Sequence, residues 1–361
     1  MYYFITGSKD ATIYLQQPDQ NTGLDEILEV SKVYYGDIKD VSRALLEFDL
    51  TGYSSSLSTN ESWSLDDVKL ILRECETEEV PLDFTLYAYP VSQSWEMGIG
   101  TRFDEITTAG VTWNSRQGDA ETYSFASSSW LPSGSFAGNV TGSSDGRGGV
   151  WYTDVSGSQD FSYETRDVDM DVKEVVLEWL SGSKENNGFI LKYPLNFEND
   201  VQDYGILKFF GKDTNTIHQP KLRIGWDDSS FSTGSLDELT ASDIKVTLTD
   251  FKKDYRVNTT PRIRVFGREL YPLKTFSSTF EYKVVKYLPE TTYYQIRDYH
   301  TDDIIVPFSD YTKVSLDNNG NYFDLNLSNW ELQRVYKIEL KVTRNGIDEY
   351  FDGDYTFKVV E

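Results

Sequence analysis

Short runs in which apolar side chains occupy every second position recur along the whole chain, and this period of two is what most constrains its fold. The runs span Thr12 to Leu15, Ile27 to Val33, Ala44 to Leu50, Val68 to Arg73, Phe84 to Tyr89, Phe189 to Tyr193, Ile206 to Phe210 and Lys221 to Trp226. Each is bounded by Gly, Pro, Asn, Asp or Ser, the punctuation of antiparallel strands joined by turns. The pattern returns at Lys245 to Thr249, Arg262 to Phe266, Phe280 to Tyr287, Tyr293 to Arg297, Tyr322 to Leu327, Tyr336 to Thr343 and Tyr355 to Val360. Turns are expected at Asp317 to Asn321 and at Arg344-Asn345-Gly346-Ile347, where Asn-Gly is a strong hairpin signal. Aromatic residues make up 15% of the chain, which favours pleated, half-buried surfaces. The fold class read from this is all-β.

Ser42 to Leu50 shows the pattern most clearly. Ala44, Leu46, Phe48 and Leu50 share one face, predicted to be core, while Arg43, Glu47 and Asp49 share the other, predicted to be the outer face of a half-buried strand. One segment breaks the period. From Asp171 to Ser183 the residues Val172, Val175, Val176, Trp179 and Leu180 follow a period of 3.6, with Asp169 or Asp171 placed to cap a short helix at about 171–181 and Gly182 placed to end it.

A chain of 361 residues is long enough for two domains, and charge suggests where they meet. Residues 1–242 carry 17 basic and 40 acidic side chains, whereas residues 243–361 carry 17 and 19. The reading is therefore a β-sandwich over 1–226, a linker over 227–242, and a second, immunoglobulin-like β-sandwich over 243–361. Residues 133–162 are rich in Gly, Ser and Asp, and are expected to form a long excursion too polar to build a core.

The formal charge of −25 argues against a nucleic-acid partner, whose phosphates such a surface repels. A single cysteine, Cys75, allows no internal disulfide framework. No apolar run reaches the roughly 20 residues that span a bilayer, so no membrane partner is expected. The opening Met1-Tyr2-Tyr3-Phe4 leads into strand-like sequence with no apolar signal region, so the chain is expected to remain where it is made.

Chemistry is sparse. His218 and His300 stand in no motif, and with one cysteine a zinc site is not expected. Asp167, Asp169 and Asp171 read as helix-start acids, Asp317 to Asn321 as a turn, and Asp352-Gly353-Asp354 as a hairpin tip, rather than as calcium ligands. Trp95, Trp113, Trp130, Trp151, Tyr34-Tyr35 and Tyr293-Tyr294 could stack on sugars, although packing is the expectation for most. No catalytic residue, cofactor or metal is predicted. The one basic feature is Arg262, Arg264 and Arg268, with Arg256 upstream, which is read as an interface docking on an acidic surface of this chain or of a neighbour.

Six tracts stand in order: Asp10 to Tyr14; Ser42 to Leu50; Ser92-Gln93-Ser94-Trp95 with Val111-Thr112-Trp113-Asn114; Asp171 to Gly182; Asn186-Asn187-Gly188-Phe189-Ile190-Leu191-Lys192; and Gln219 to Ile224. This succession resembles the DNRLRE domain, a non-catalytic β-sandwich module, over residues 10–226. The tracts Ile305 to Phe308, Tyr311 to Ser315 and Gly320 to Asp324 are similar in texture to sandwich domains appended to structural proteins of tailed phages. The resemblances imply a non-enzymatic virion component of the tail, baseplate, neck or a head-attached appendage. Its partners would be other virion proteins and further copies of itself. The rivals are a cell-surface or wall adhesion module and a carbohydrate-binding or carbohydrate-active protein.

Overall fold

The computed structural model describes residues 1–52, 65–106, 109–118, 128–131, 138–142, 146–162, 166–272 and 284–361. Residues 133–137 and 143–145 of the Gly/Ser/Asp-rich segment and residues 280–283 of one expected strand lie outside them. The described chain is all-β with two short helices, and it divides into two compact units. The first comprises residues 5–52 and Asp67–Arg223; the second comprises Met1–Phe4, residues 65–66 and Ile224–Glu361.

Among the described residues, thirteen strands run through the first part of the chain: β1 (Tyr2–Tyr14), β2 (Ile27–Tyr35), β3 (Ile38–Phe48), β4 (Asp67–Leu72), β5 (Glu74–Glu78), β6 (Phe84–Pro90), β7 (Val140–Gly142), β8 (Val150–Tyr152), β9 (Gly157–Phe161), β10 (Val168–Asp171), β11 (Phe189–Lys192), β12 (Gly205–Phe210) and β13 (Lys221–Gly225). Eleven form one sheet in the order β1-β13-β4-β10-β9-β6-β11-β3-β2-β12-β5, and β1 also pairs with β3, so the hydrogen-bonded path returns on itself. This closure removes the edge that β1 would otherwise present with unpaired amides and carbonyls, whereas β5, at the other end of the path, keeps one. β7 and β8 form a separate hairpin.

β3 lies at the middle of this arrangement and pairs with β1, β2 and β11. Its two faces are both buried. On one, Phe48 meets Phe189 edge to face, and Phe189 in turn lies 4.7 Å from the ring of Trp179. On the other, Val41 and Leu45 join a core with Trp95, Trp113, Trp130, Val150 and Trp151. The expectation that Arg43 faces outward is therefore corrected: Arg43 is 3% exposed, because loops carrying tryptophans fold over the face that a single strand would leave to water. Glu47 keeps partial exposure and pairs with Lys9, and Asp49 is exposed and accepts the Thr51 amide.

The Gly/Ser/Asp-rich segment is corrected in the same way. Its described part supplies β7, β8 and β9, and Val150 and Trp151 sit in the core. Gly148 and Gly149 have φ of +72° and +96°, and a Cβ on Gly148 would lie 2.7 Å from the Trp113 ring, so glycine is what lets the segment close down there.

Helix α1 (Lys173–Leu180) buries Val175, Val176 and Trp179. It starts later than the acids suggest. Val168–Asp171 is β10, so Asp169 alternates outward on a strand, while Asp171 accepts the Lys173 amide at 3.0 Å. Gly182, φ +75°, follows the helix end as expected. A second helix, α2 (Leu195–Asn199), begins directly after Pro194 and was not anticipated. Proline at a helix start was the available signal.

The second unit contains β14 (Asp237–Glu238), β15 (Ile244–Thr249), β16 (Asp254–Arg256), β17 (Arg262–Glu269), β18 (Lys286–Tyr287), β19 (Thr292–Asp298), β20 (Ile304–Val306), β21 (Ser315–Asp317), β22 (Gly320–Asp324), β23 (Val335–Arg344) and β24 (Ile347–Val360). Strands β14, β18, β17, β22, β21 and β15 form one sheet, and β16, β24, β23, β19 and β20 form another. Val246, Leu248, Ile263, Val265 and Phe323 from the first pack with Tyr294, Ile338, Leu340, Phe357 and Val359 from the second, which makes a β-sandwich. The Tyr294 and Phe323 rings stack at 4.2 Å across it.

Two local readings change here. Residues 227–242, read as a linker, are built into the sandwich: Phe231 bridges to Leu316, β14 pairs with β18, and Leu239 is 2% exposed in the core. Asp352-Gly353-Asp354 is not a hairpin tip but an irregularity inside β24, with Asp354 at φ +51° and a register shift opposite Ile338 and Leu340. The turns at Asp317 to Asn321 and Asn345-Gly346 join β21 to β22 and β23 to β24.

Candidate functional site

The arginines singled out from the sequence occupy different places. Arg262, Arg264 and Arg268 alternate along one face of β17, whereas Arg256 is on β16 in the opposite sheet and is exposed. Arg262 donates from Nε and Nη2 to the two carboxylate oxygens of Asp324 at 2.8 and 2.9 Å. Arg264 donates from Nη1 and Nη2 to those of Asp317 at 2.6 and 2.8 Å. Both guanidinium groups lie over the Tyr322 ring, at 3.9 and 5.0 Å. Arg268 donates to the Glu269 carbonyl. The hydrogen bonds to Asp324 raise the Arg262 guanidinium further above its ordinary value, and those from Arg264 hold Asp317 below the usual carboxylate range. The acidic surface that Arg262 and Arg264 meet is thus on their own chain, on the neighbouring strands β21 and β22.

A second cluster, absent from the sequence reading, lies in the first unit. Arg43 on β3 donates from Nε and Nη2 to the Glu198 carboxylate on α2 at 3.0 and 2.7 Å, and from Nη1 to the Gly148 carbonyl. Lys192, the last residue of β11, places Nζ 3.1 Å from Glu198 and donates to the Tyr193 carbonyl at 2.6 Å. The three side chains are 4, 3 and 0% exposed. The Arg43 guanidinium lies 4.7 Å from the Trp113 ring and 5.1 Å from Trp151, and the Lys192 ammonium lies 4.9 Å from Trp151.

Two cations and one anion in a dry site leave an excess positive charge, and the lysine responds to it. Burial pushes Lys192 down to about 7, with the nearby Arg43 adding to the fall and Glu198 opposing it. Burial pushes the Glu198 carboxyl up, but the charges and hydrogen bonds of Arg43 and Lys192 outweigh it and hold it below its ordinary value. Nearly sealed from solvent, the cluster fastens β3, β11, α2 and the Gly148 loop together.

Asp10 is also buried, and burial raises it to about 7 although it accepts the Lys212 amide. Among the described residues no group of three or more His, Cys, Asp or Glu side chains could hold a metal ion. A shallow cleft of about 300 Å³ is lined by Asp83, Phe84, Thr85, Asp160, Phe161, Ser162 and Phe197. Phe84 and Phe161 stack on each other at 4.8 Å and are 4 and 5% exposed, so neither presents an open ring face to a sugar. Trp95, Trp113, Trp130 and Trp151 are buried as well, and Tyr294 is core; Tyr35 is the one in that group with an open ring, 83% exposed. His218 lies against Phe210, and the His300 amide is held by Asp298 in a turn.

No family profile matches the chain, and no characterised protein matches it. No helix among the described residues is long and apolar enough to cross a membrane.

Proposed function

We propose that the chain is a non-catalytic structural subunit that works by contact with other proteins, and that its setting is the virion of a tailed phage. The observation that carries the first half is the use made of the charged groups. Those that the fold brings together, Arg43 with Glu198 and Lys192, and Arg262 and Arg264 with Asp317 and Asp324, are paired as fasteners of strands rather than aimed into a cleft. The second half rests on the ordered tracts that resemble DNRLRE modules and on the phage-like texture of residues 305–324. A sheet whose path returns on itself and a compact sandwich suit a subunit that must keep its shape while many copies are assembled. Mass spectrometry of purified virions from the source tests the setting: the chain is expected among the virion proteins, and its absence there overturns that part of the proposal.

A further inference from the structure

One loop of the first unit exposes large apolar side chains on a rigid base. Ile99, Phe103 and Ile106 are 71, 90 and 65% exposed, and Leu24, 43% exposed, is tied to the same loop because its amide donates to the Gly100 carbonyl at 3.0 Å. Exposed apolar residues concentrated in this way mark interaction sites, whereas scattered single ones need no explanation.

Among the described residues, the base of the loop is tied down by hydrogen bonds. Asn21, fully buried, donates from Nδ2 to the Met97 and Val111 carbonyls, both at 2.8 Å, and its Oδ1 accepts the Gly100 amide at 2.8 Å. Gln20 donates to the Thr101 carbonyl at 2.6 Å, and Asp25 accepts the Arg102 amide at 3.0 Å. At Gly98, φ +78°, an added Cβ would lie 2.4 Å from the Ala109 carbonyl oxygen, so the backbone there is packed against its neighbour. A surface held in place before it meets a partner loses little further freedom on binding.

The rim indicates the partner. Asp104 and Glu105, between Phe103 and Ile106, are exposed, as are Glu26, close to Leu24 in the chain, and Glu96, close to Ile99. The one base of residues 96–106, Arg102, pairs with Glu29 and places its guanidinium 4.4 Å from the Tyr14 ring and 5.5 Å from the Phe103 ring. We propose that this loop docks into an apolar recess of another protein, and that the recess is rimmed by lysine and arginine. A second copy of this chain would bring the same acidic rim and a charge of −25, and an anionic lipid surface would be repelled for the same reason. The proposal rests on reading the chain as a subunit that works by contact.

A photo-crosslinking phenylalanine analogue placed at position 103 of the full chain, in the cells that make it, tests this; the same analogue at Tyr35 is the control. The expected result is a crosslink from position 103, and not from position 35, to a peptide of another protein whose surface carries lysine or arginine around apolar residues. Adding Ile99→Asp and Ile106→Asp should lower its yield by more than about tenfold, since two apolar contacts are lost, while the thermal midpoint of the chain stays unchanged. A crosslink to a second copy, to lipid or to an acidic surface, equal labelling from position 35, or no crosslink at all overturns the proposal. If the chain is absent from virions yet makes the expected crosslink, the virion setting alone fails. If it is present in virions without that crosslink, this surface alone fails.

Discussion

The two charged clusters use the same arginine–carboxylate fork in opposite surroundings. In the second unit Arg262 is 46% exposed and meets Asp324 across adjacent strands at the sheet surface. In the first, Arg43 meets Glu198 with both side chains nearly sealed and a second cation beside them. Water screens the first pair, so either partner can be lost at little cost; the second must remain balanced, because an ion stranded in a dry site has no solvent to turn to. The contrast separates a charge that decorates a strand from one that fixes how four segments meet.

Removing the anion should give the largest effect. Glu198→Ala leaves Arg43 and Lys192 buried without a counter-ion and is expected to lower stability by about 3–5 kcal/mol in urea unfolding. A loss below about 1 kcal/mol would show that the cluster is open to water. Trp113→Ala should come close, at about 3–5 kcal/mol, because it removes a core ring and uncovers Arg43. The same experiment with Arg43, Lys192 and Glu198 all replaced by apolar residues of similar volume should recover much of the Glu198→Ala loss, since it strands no charge.

The pH dependence of stability sharpens the comparison. Lys192 sits at about 7 in the folded chain against about 10.4 when unfolded, so between those values the unfolded state holds more protons. Stability should therefore rise with pH from about 7 towards 10, by up to ~1.4 kcal/mol per pH unit, and Lys192→Met should remove that slope. Asp10 acts in the other direction: its folded value of about 7 lies above the unfolded one, so its contribution falls as pH rises from about 4 to 7, and Asp10→Asn should flatten that limb. Urea midpoints across pH 4–10 measure both. The smallest effect is expected from Arg262→Ala, at most about 1 kcal/mol and shrinking with added salt. A larger, salt-independent loss would mean that the surface pair is less exposed to solvent than its geometry indicates.

Much of the architecture was legible because it is local. The period of two located strands, Asn345-Gly346 located a hairpin, and Gly182 marked the end of the helix. The arginine row on β17 was visible, but its acceptors were not, since Asp317 and Asp324 lie on other strands and pairing register is a property of the sheet. Glu198 could not be matched to Arg43 at all: the two are 155 positions apart, and Glu198 stands on a five-residue helix announced only by Pro194. The Gly/Ser/Asp-rich segment misled for a related reason. Its polar composition hid Val150 and Trp151, which enter the core because Gly148 and Gly149 let the backbone come down on β3.

By itself, the sequence determined that this chain is all-β, where most strands and turns fall, and that its acidity is concentrated before residue 243, because these follow from neighbouring residues and from composition. Only the tertiary structure decided which polar faces are wet. Alternation assigns a side chain to one side of a strand, but whether that side meets water or a layer of tryptophans depends on segments far away in the chain. For Arg43, that difference turned an apparent surface charge into the centre of a buried fastening.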